Sequence, residues 1–480
     1  MNNKQLFRGQ FLLAKENTFS LEWPHANIGE FNLFYHPALN YTTARNKDIE
    51  LHLLGDMYDW EVPSLSNGQI LTRLAEKTTF EESLNAHSKF AGQFVLIYKN
   101  KDKLYVLNDA CAQNEIYFDT SFTAFASQTK LLGRIIELEP YEEDYAQKFF
   151  QSPSFLSKKV FVGFSSHMKN VKHLLPNHYI DVTNNNVERF FPSMIRQPLS
   201  INDAALKAGD MIKGFIKAVS YRDKIALAVT GGYDSRVLFL ASFDVDCRYF
   251  VSRRNNMSDR HHDIIIPQKL TKLFGKEFSI IPDIHKSQIK MEDDYVNSVD
   301  FPRRREQASR YFKNHTYLNG NISEIARNYY GYHKHVSPED LAALSGYANE
   351  RFVIKEYKKW LDASSKVFSR YGYNILDMFY WENRMGTWLA KAKTEETALG
   401  RKMFSPFCSR ELLLTLLATP RKYRDSHRNR LYDQIIKSLS PKSFKIPINP
   451  DRKQNMIRLL KKMRIYNLYR HIGLKFRLLK

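Results

Sequence analysis

The stretch KIALAVTGGYDSRVLFLAS, residues 224–242, decides the fold of the second half of the chain. Its apolar run up to Val229 reads as a buried strand, Gly231 and Gly232 as a tight turn, and an apolar-periodic helix begins near Ser235. A strand that feeds a helix through such a turn aims the helix's unpaired N–H groups at the turn, where the helix dipole also favours an anion. Gly231 and Gly232 let the backbone approach phosphate oxygens. Thr230 and Ser235 supply hydroxyls, and Asp234 supplies a carboxylate able to hold Mg²⁺. The competing reading is a ligand-free βα turn capped by Asp234 or Ser235. No Gly-Lys-Ser/Thr follows the glycines, so this is not a Walker loop.

Outward from this segment, strand and helix alternate. Residues 203–221 have helical spacing, 248–251 read as a second strand, 263–274 as a helix and 277–281 as a third strand, the rhythm of a parallel α/β sheet. Residues 338–439 have helical apolar spacing almost throughout, broken at Gly372, Pro406 and Pro420. The first 190 residues instead carry short β-rich runs, FNLFYH, IELHLLG, QFVLIYK, KLYVLND, EIYFD and AFASQT, with one helical stretch over 67–84. That pattern predicts a layered α+β domain, joined to the second half by a polar connector near residues 197–202.

The 480 residues are 43% apolar, which supports a proper core and excludes disorder of the whole chain. Cys111, Cys247 and Cys408 are far apart and form no Cys-x-x-Cys pair, so neither a disulfide framework nor a zinc ribbon is supported, and a reducing cytoplasm is the expected compartment. The N-terminus lacks a continuous apolar signal region, and no apolar run is long enough to span a bilayer. A net charge of +21 calls for an anionic partner. Residues 451–480 hold ten Lys and Arg against one Asp, nearly half of that excess. In this tail Ile457, Leu460, Leu468 and Ile472 recur at near-helical spacing. It reads as a terminal helix with a solvated basic face, and an anionic membrane surface is the alternative; nucleic acid is the weaker reading.

TGGYDSR resembles the SGGxDS loop of the PP-loop ATP pyrophosphatases, with Thr230 in place of the first Ser. Two further regions resemble the asparagine synthetases of that superfamily. FAGQFVLIYKNKDKLYVLNDACAQNEIYF, residues 90–118, is similar to their glutaminase-type domain, with Asp109 where the glutamine-binding Asp lies, and LLGDMYD, residues 53–59, is similar to their Asn-Gly-Glu-Ile-Tyr-Asn segment. FSPFCSRELLLTLLATP, residues 404–420, resembles a helix start of the synthetase domain. The resemblance implies an N-terminal Ntn-hydrolase-like α+β sandwich over 1–197, an α/β parallel-sheet PP-loop ATPase domain with a helical C-terminal region over 203–450, and a basic tail over 451–480.

Departures from the family qualify this. Position 2 is Asn where glutamine-hydrolysing members carry the nucleophilic Cys, and Leu54 replaces the oxyanion-region Asn, so glutamine hydrolysis is expected to be lost and the domain kept as a scaffold. Asp109 then also reads as a plain turn carboxylate. In LNGNISEIARNYYGY, residues 318–332, Gly320 is kept and Glu324 stands for the family's Asp, but Ile322 and Ser323 replace a Gly-Gly pair. Glu324 is expected to hold Mg²⁺ and Arg327 to sit beside the phosphates; the alternative is a surface pair three residues apart on a helix.

A leaving pyrophosphate needs cations. Lys445, in SPKSFKIPINP, stands in a segment resembling the one that brings a catalytic Lys into the site, with Lys442 competing and Arg236 well placed if turned inward. His261, His262 and Asp263 lack a spaced third ligand and read as a surface or supporting group, and Asp259 or Asp263 borders the adenine pocket if the resemblance holds. Phe379, Tyr380, Trp381 and Trp388 read as core; Glu382, Arg384, Glu395 and Glu396 share that segment without a choice among them. The implied activity is ATP- and Mg²⁺-dependent: a carboxylate-bearing substrate is adenylated, and ammonia or an amine captures it, for example in bacterial surface polysaccharide or specialised metabolite synthesis. The rivals are a non-catalytic nucleotide-binding module and an RNA-modifying PP-loop enzyme. The oligomeric state stays open, a homodimer being compatible.

Overall fold

The structure is a computed structural model that describes residues 5–16, 19–254, 257–282, 291–303, 311–312, 314–331, 333, 335–425 and 429–449. The basic tail and position 2 lie outside the described residues.

Two antiparallel sheets of six strands form the first half. One runs in the order Val171–His173, Tyr117–Asp119, Ala124–Ala126, Phe11–Ala14, Phe31–Tyr35, His25–Ile28. The other runs Asn186–Arg189, His178–Asp181, Lys103–Asn108, Ala91–Asn100, Ile49–Tyr58, Tyr41–Asn46. Alternation along each strand buries both faces. Phe11 and Leu13 meet Val95 and Ile97 between the sheets, while Phe94, Leu96 and Tyr98 turn outward against the helices Asn67–Ala75 and Phe80–Ala86. The single helix predicted over 67–84 is therefore two. Thr79 interrupts it by accepting from Glu82 N, a cap that starts a new helix rather than continuing the old one.

In the second half a five-stranded parallel sheet runs Phe278–Ile281, Cys247–Ser252, Lys224–Ala228, His315–Leu318, Lys402–Phe404. The strand from the opening motif is central, and the chain leaves it to one side first and the other later. That switch opens a crevice at the carboxyl ends of Lys224–Ala228 and His315–Leu318, where open α/β sheets place ligands. Helices Ile201–Ser220, Tyr233–Ala241 and Arg430–Leu439 pack together against the sheet. The edge strand Lys402–Phe404 falls in the region read as helical; three residues carry too little periodicity to show. Residues Tyr380–Leu389 wind as a π-helix.

The halves share one apolar core and several buried polar links. Glu382 is fully buried and takes both Arg189 (2.5 Å) and the Trp360 indole N–H (2.7 Å). The Trp381 indole N–H donates to Ala110 O at 2.6 Å, and Lys402 pairs with Asp56 at 3.2 Å. Glu395 pairs with Arg303 and Glu396 with Arg401. The three glutamates left undecided from sequence are thus ion-paired, Glu382 and Glu395 in the core.

Candidate functional site

The turn after Lys224–Ala228 is held by its own hydroxyls. Ser235 Oγ accepts from Thr230 N at 3.1 Å and lies 2.9 Å from Thr230 Oγ1, and Thr230 Oγ1 accepts from Gly232 N at 3.3 Å. No side chain caps the helix Tyr233–Ala241 that follows. Asp234 and Ser235 both lie inside the first turn, so neither caps this helix as the ligand-free reading of the turn had it. The N–H groups of this helix's first turn thus have no side-chain cap, while those of Gly231 and Gly232 are donated to Asp263 and Thr230.

The neighbouring strand brings its own loop against this turn. A Cβ on Gly320 would lie 2.6 Å from Asp234 Cβ and 3.0 Å from its Oδ2, so only glycine permits the approach. Residues Asn321–Arg327 continue as a 3₁₀ turn, not an α-helix. Arg327 turns toward the loop, with Nη1 3.3 Å from Asp234 Oδ1 and its guanidinium 5.8 Å from the rings of Tyr233 and Tyr432. Burial opposes its charge, but Asp234 and Glu324 outweigh burial and raise its pKa. Glu324 accepts a hydrogen bond from Tyr380 OH instead of pairing along the surface. Burial raises its pKa, against the pull of Arg327. The Thr230–Ser235 turn and the loop from Gly320 to Arg327, separated by more than 80 positions of sequence, thus touch through Gly320 and Arg327 at Asp234, with Glu324 on the same loop.

Three further groups complete the surroundings. Asp263 Oδ1 accepts from Gly231 N at 2.9 Å, at the start of the helix His262–Leu273. His261, His262 and Asp263 lie together, their ligand atoms within 4.8 Å of one another, against the glycine turn. Asn449 N donates to Gly231 O at 2.9 Å, which lays the segment after Lys445 over the turn. Lys445 itself ends the 3₁₀ turn Pro441–Lys445 and is exposed, and no hydrogen bond or ion pair joins it to another described residue. Lys442 lies 5.4 Å from the Phe274 ring, away from the loop. Arg236 is fully buried and points the other way, donating to Ser443 O, Ile446 O and Pro447 O at 3.2, 2.6 and 2.7 Å. It holds the C-terminal segment and does not face the crevice. Sequence reading placed Tyr380 in the core and had no signal for its hydroxyl, because its partner lies 56 positions away.

A cavity of about 230 Å³ lies between the halves, lined by Arg8, Asn40, Asp56, Gln93 and Asn114 of the first and Thr397 and Lys402 of the second, among others. Leu54 turns away from it into the core between the sheets. Asp109 does not line it: fully buried, it accepts from the N–H groups of Phe94, Cys111, Gln113 and Asn114 at 3.0–3.3 Å and from the Cys408 thiol at 3.2 Å. The turn-carboxylate reading of Asp109 accounts for all of these bonds.

No family model and no curated protein matches the chain. Among solved structures, one described as the allosteric regulatory enzyme of purine biosynthesis is similar at 9% identity and a TM-score of 0.25, covering 58% of this chain and 70% of that one. A glutamine phosphoribosylpyrophosphate amidotransferase from B. subtilis, complexed with ADP and GMP, is similar at 9% identity and a TM-score of 0.23, covering 68% and 72%. Likeness at that level carries no argument about this chain's chemistry. Among the described residues, no helix is long and apolar enough to cross a membrane.

Proposed function

We propose that the chain is an ATP-dependent amide-forming ligase of the asparagine synthetase type, with a PP-loop domain over 203–450 and a sandwich over 1–197 that has lost glutaminase activity. The observation that carries this reading is the meeting of the uncapped Thr230–Ser235 turn with Gly320, Glu324 and Arg327 at the switch point of the parallel sheet. Backbone N–H groups in the first turn of Tyr233–Ala241 bind the phosphates, joined by the Gly232 N–H and the Thr230 and Ser235 hydroxyls once these exchange their bonds to one another for phosphate oxygens. Asp234 and Glu324 are the carboxylates that would hold Mg²⁺, which when bound neutralises the phosphates and the departing pyrophosphate. The substrate carboxylate attacks the α-phosphorus and pyrophosphate leaves. Ammonia or an amine then attacks the acyl carbon, and AMP departs with the C–O bond. Arg327 stabilises charge on the β and γ phosphates, and exposed Lys445, just before the segment laid over the turn, swings its flexible ammonium toward the leaving pyrophosphate when nucleotide binds.

Asp263 on the Gly231 N–H and Ile322 and Ser323 buried in place of glycines favour the second reading, a nucleotide-binding module without catalysis. Carboxylate-dependent ATP–pyrophosphate exchange separates the two. Exchange with any carboxylate supports the ligase, and Asp234→Ala should abolish it. Exchange that persists unchanged in that variant, or a protein that binds no ATP, would refute the proposal.

A further inference from the structure

Lys158 and Arg384 line one small cavity of about 30 Å³ between the two halves of the molecule. It has room for about two or three waters or one carboxylate. Lys158 ends the helix Pro153–Lys158 of the first half; its ammonium donates to Gly346 O and lies 4.1 Å from the Tyr347 ring. Arg384 comes from the π-helical segment of the second half. Its guanidinium lies 4.4 Å from the Trp388 ring, and its buried Nε has no hydrogen-bond partner. Among the described residues neither cation has a carboxylate within ion-pair distance. Glu350, the acid nearest in effect to Lys158, instead accepts from the Ser154 hydroxyl. The remaining walls are mostly aromatic and aliphatic, including Tyr330, Tyr357 and Phe379, with Ser345, Asn383 and Thr387 as polar members and the Asn383 amide nitrogen buried without a hydrogen-bond partner among the described residues. Two cations lining one partly open cavity without a counter-charge repel each other, and half-buried Lys158 shows it: burial first, then Arg384, pushes its pKa down. An anion seated between them reverses both penalties.

We infer that the cavity between Lys158 and Arg384 is an anion subsite that takes a carboxylate-sized oxyanion and draws one cation from each half of the molecule. Tyr330 of the cavity wall lies 5.6 Å, ring to ring, from Tyr380, whose hydroxyl donates to Glu324, so the subsite adjoins the candidate catalytic carboxylate. That its occupant is an acidic group of the substrate rests on the ligase reading; the subsite itself does not. On this view the sandwich is kept because it completes the acceptor pocket.

Trp388 beneath Arg384 is the reporter. The full chain is titrated with acetate, the ionic strength being held with the bulky HEPES anion, and tryptophan fluorescence is followed. A saturable change is expected that disappears in Trp388→Phe and weakens about tenfold or more in both Arg384→Gln and Lys158→Gln, while Lys158→Arg retains it. Absence of a saturable change, or a change that both Gln variants keep at unaltered affinity, overturns the subsite. Chloride displacing acetate would identify a free anion as the ligand. Succinate binding at least tenfold more tightly than acetate would identify a group of the substrate. Asp234→Ala is expected to leave acetate binding intact, so failure of the ATP reading and failure of the subsite are read separately.

Discussion

Arg236 and Asp263 show how one side chain's surroundings settle its role. Immediately after the loop serine, Arg236 has the position of a phosphate cation, yet its guanidinium satisfies three backbone carbonyls of residues 443–447. Arg236→Met keeps the apolar stem but strands those acceptors, and each buried unsatisfied carbonyl costs about 1–3 kcal/mol. A loss of about 2–4 kcal/mol in urea unfolding is expected, with weakened ATP affinity as a secondary result because Asn449 no longer seats the turn. Asp263 accepts the Gly231 N–H and so places a carboxylate beside the proposed phosphate site. Asp263→Asn keeps an oxygen acceptor and removes the charge. ATP is expected to bind about fivefold more tightly by calorimetry, corresponding to about 1 kcal/mol of repulsion between partly screened charges. Unchanged affinity would place the phosphates elsewhere.

The decisive juxtaposition of elements is that of two strand ends. Lys224–Ala228 and His315–Leu318 pair in parallel, so the turns that follow them emerge side by side, and Gly320 lets the second turn reach Asp234. Gly320→Ala would drive a methyl group into the Asp234 side chain, leaving one of the turns to move. Overpacking of this kind costs about 1–3 kcal/mol; the expected outcome is a lowered Tm together with loss of ATP binding. If ATP affinity survives while Tm falls, the two turns do not act as one site. Here the sequence was informative about the first turn, because strand, glycines and helix lie within 19 consecutive residues. It was poorer for the second, since a four-residue strand and a 3₁₀ turn give no long period, and Tyr380 arrives on a π-helical segment that a period of 3.6 does not describe.

Across the whole molecule, stability depends on ionisable groups buried between the halves. Glu115 accepts from Thr394 (2.6 Å), Gln128 (3.0 Å) and Tyr117 (3.0 Å). Burial nevertheless pushes its pKa up to about 7, against the pull of Thr394, Lys391 and Tyr117. A raised carboxyl pKa means that between about pH 4.5 and 7 the folded chain keeps a proton the unfolded chain has lost. Stability therefore falls as pH rises through that window, by roughly 3 kcal/mol from this group. Burial pushes Lys391 down to about 8, so the unfolded chain holds the extra proton above that pH, and this group adds stability as pH rises from about 8 to 10.5. Glu115→Gln is expected to flatten the dependence of Tm on pH between 4.5 and 7 while leaving the alkaline limb. Parallel curves for the two proteins would show that Glu115 does not titrate in that window. The chain's local order carries its own architecture: alternation of apolar residues sets the antiparallel strands, and the glycine turn between Lys224–Ala228 and Tyr233–Ala241 sets the strand-to-helix turn at the centre of the parallel sheet, because both follow from neighbours a few positions apart. Which charges face that turn is a different matter. Arg327 and Glu324 on the loop beside it and Arg236 facing away depend on contacts between residues far apart in sequence within the second half, and the pairing of Glu382 with Arg189 and the convergence of Lys158 with Arg384 form only when the two halves exclude water from between them.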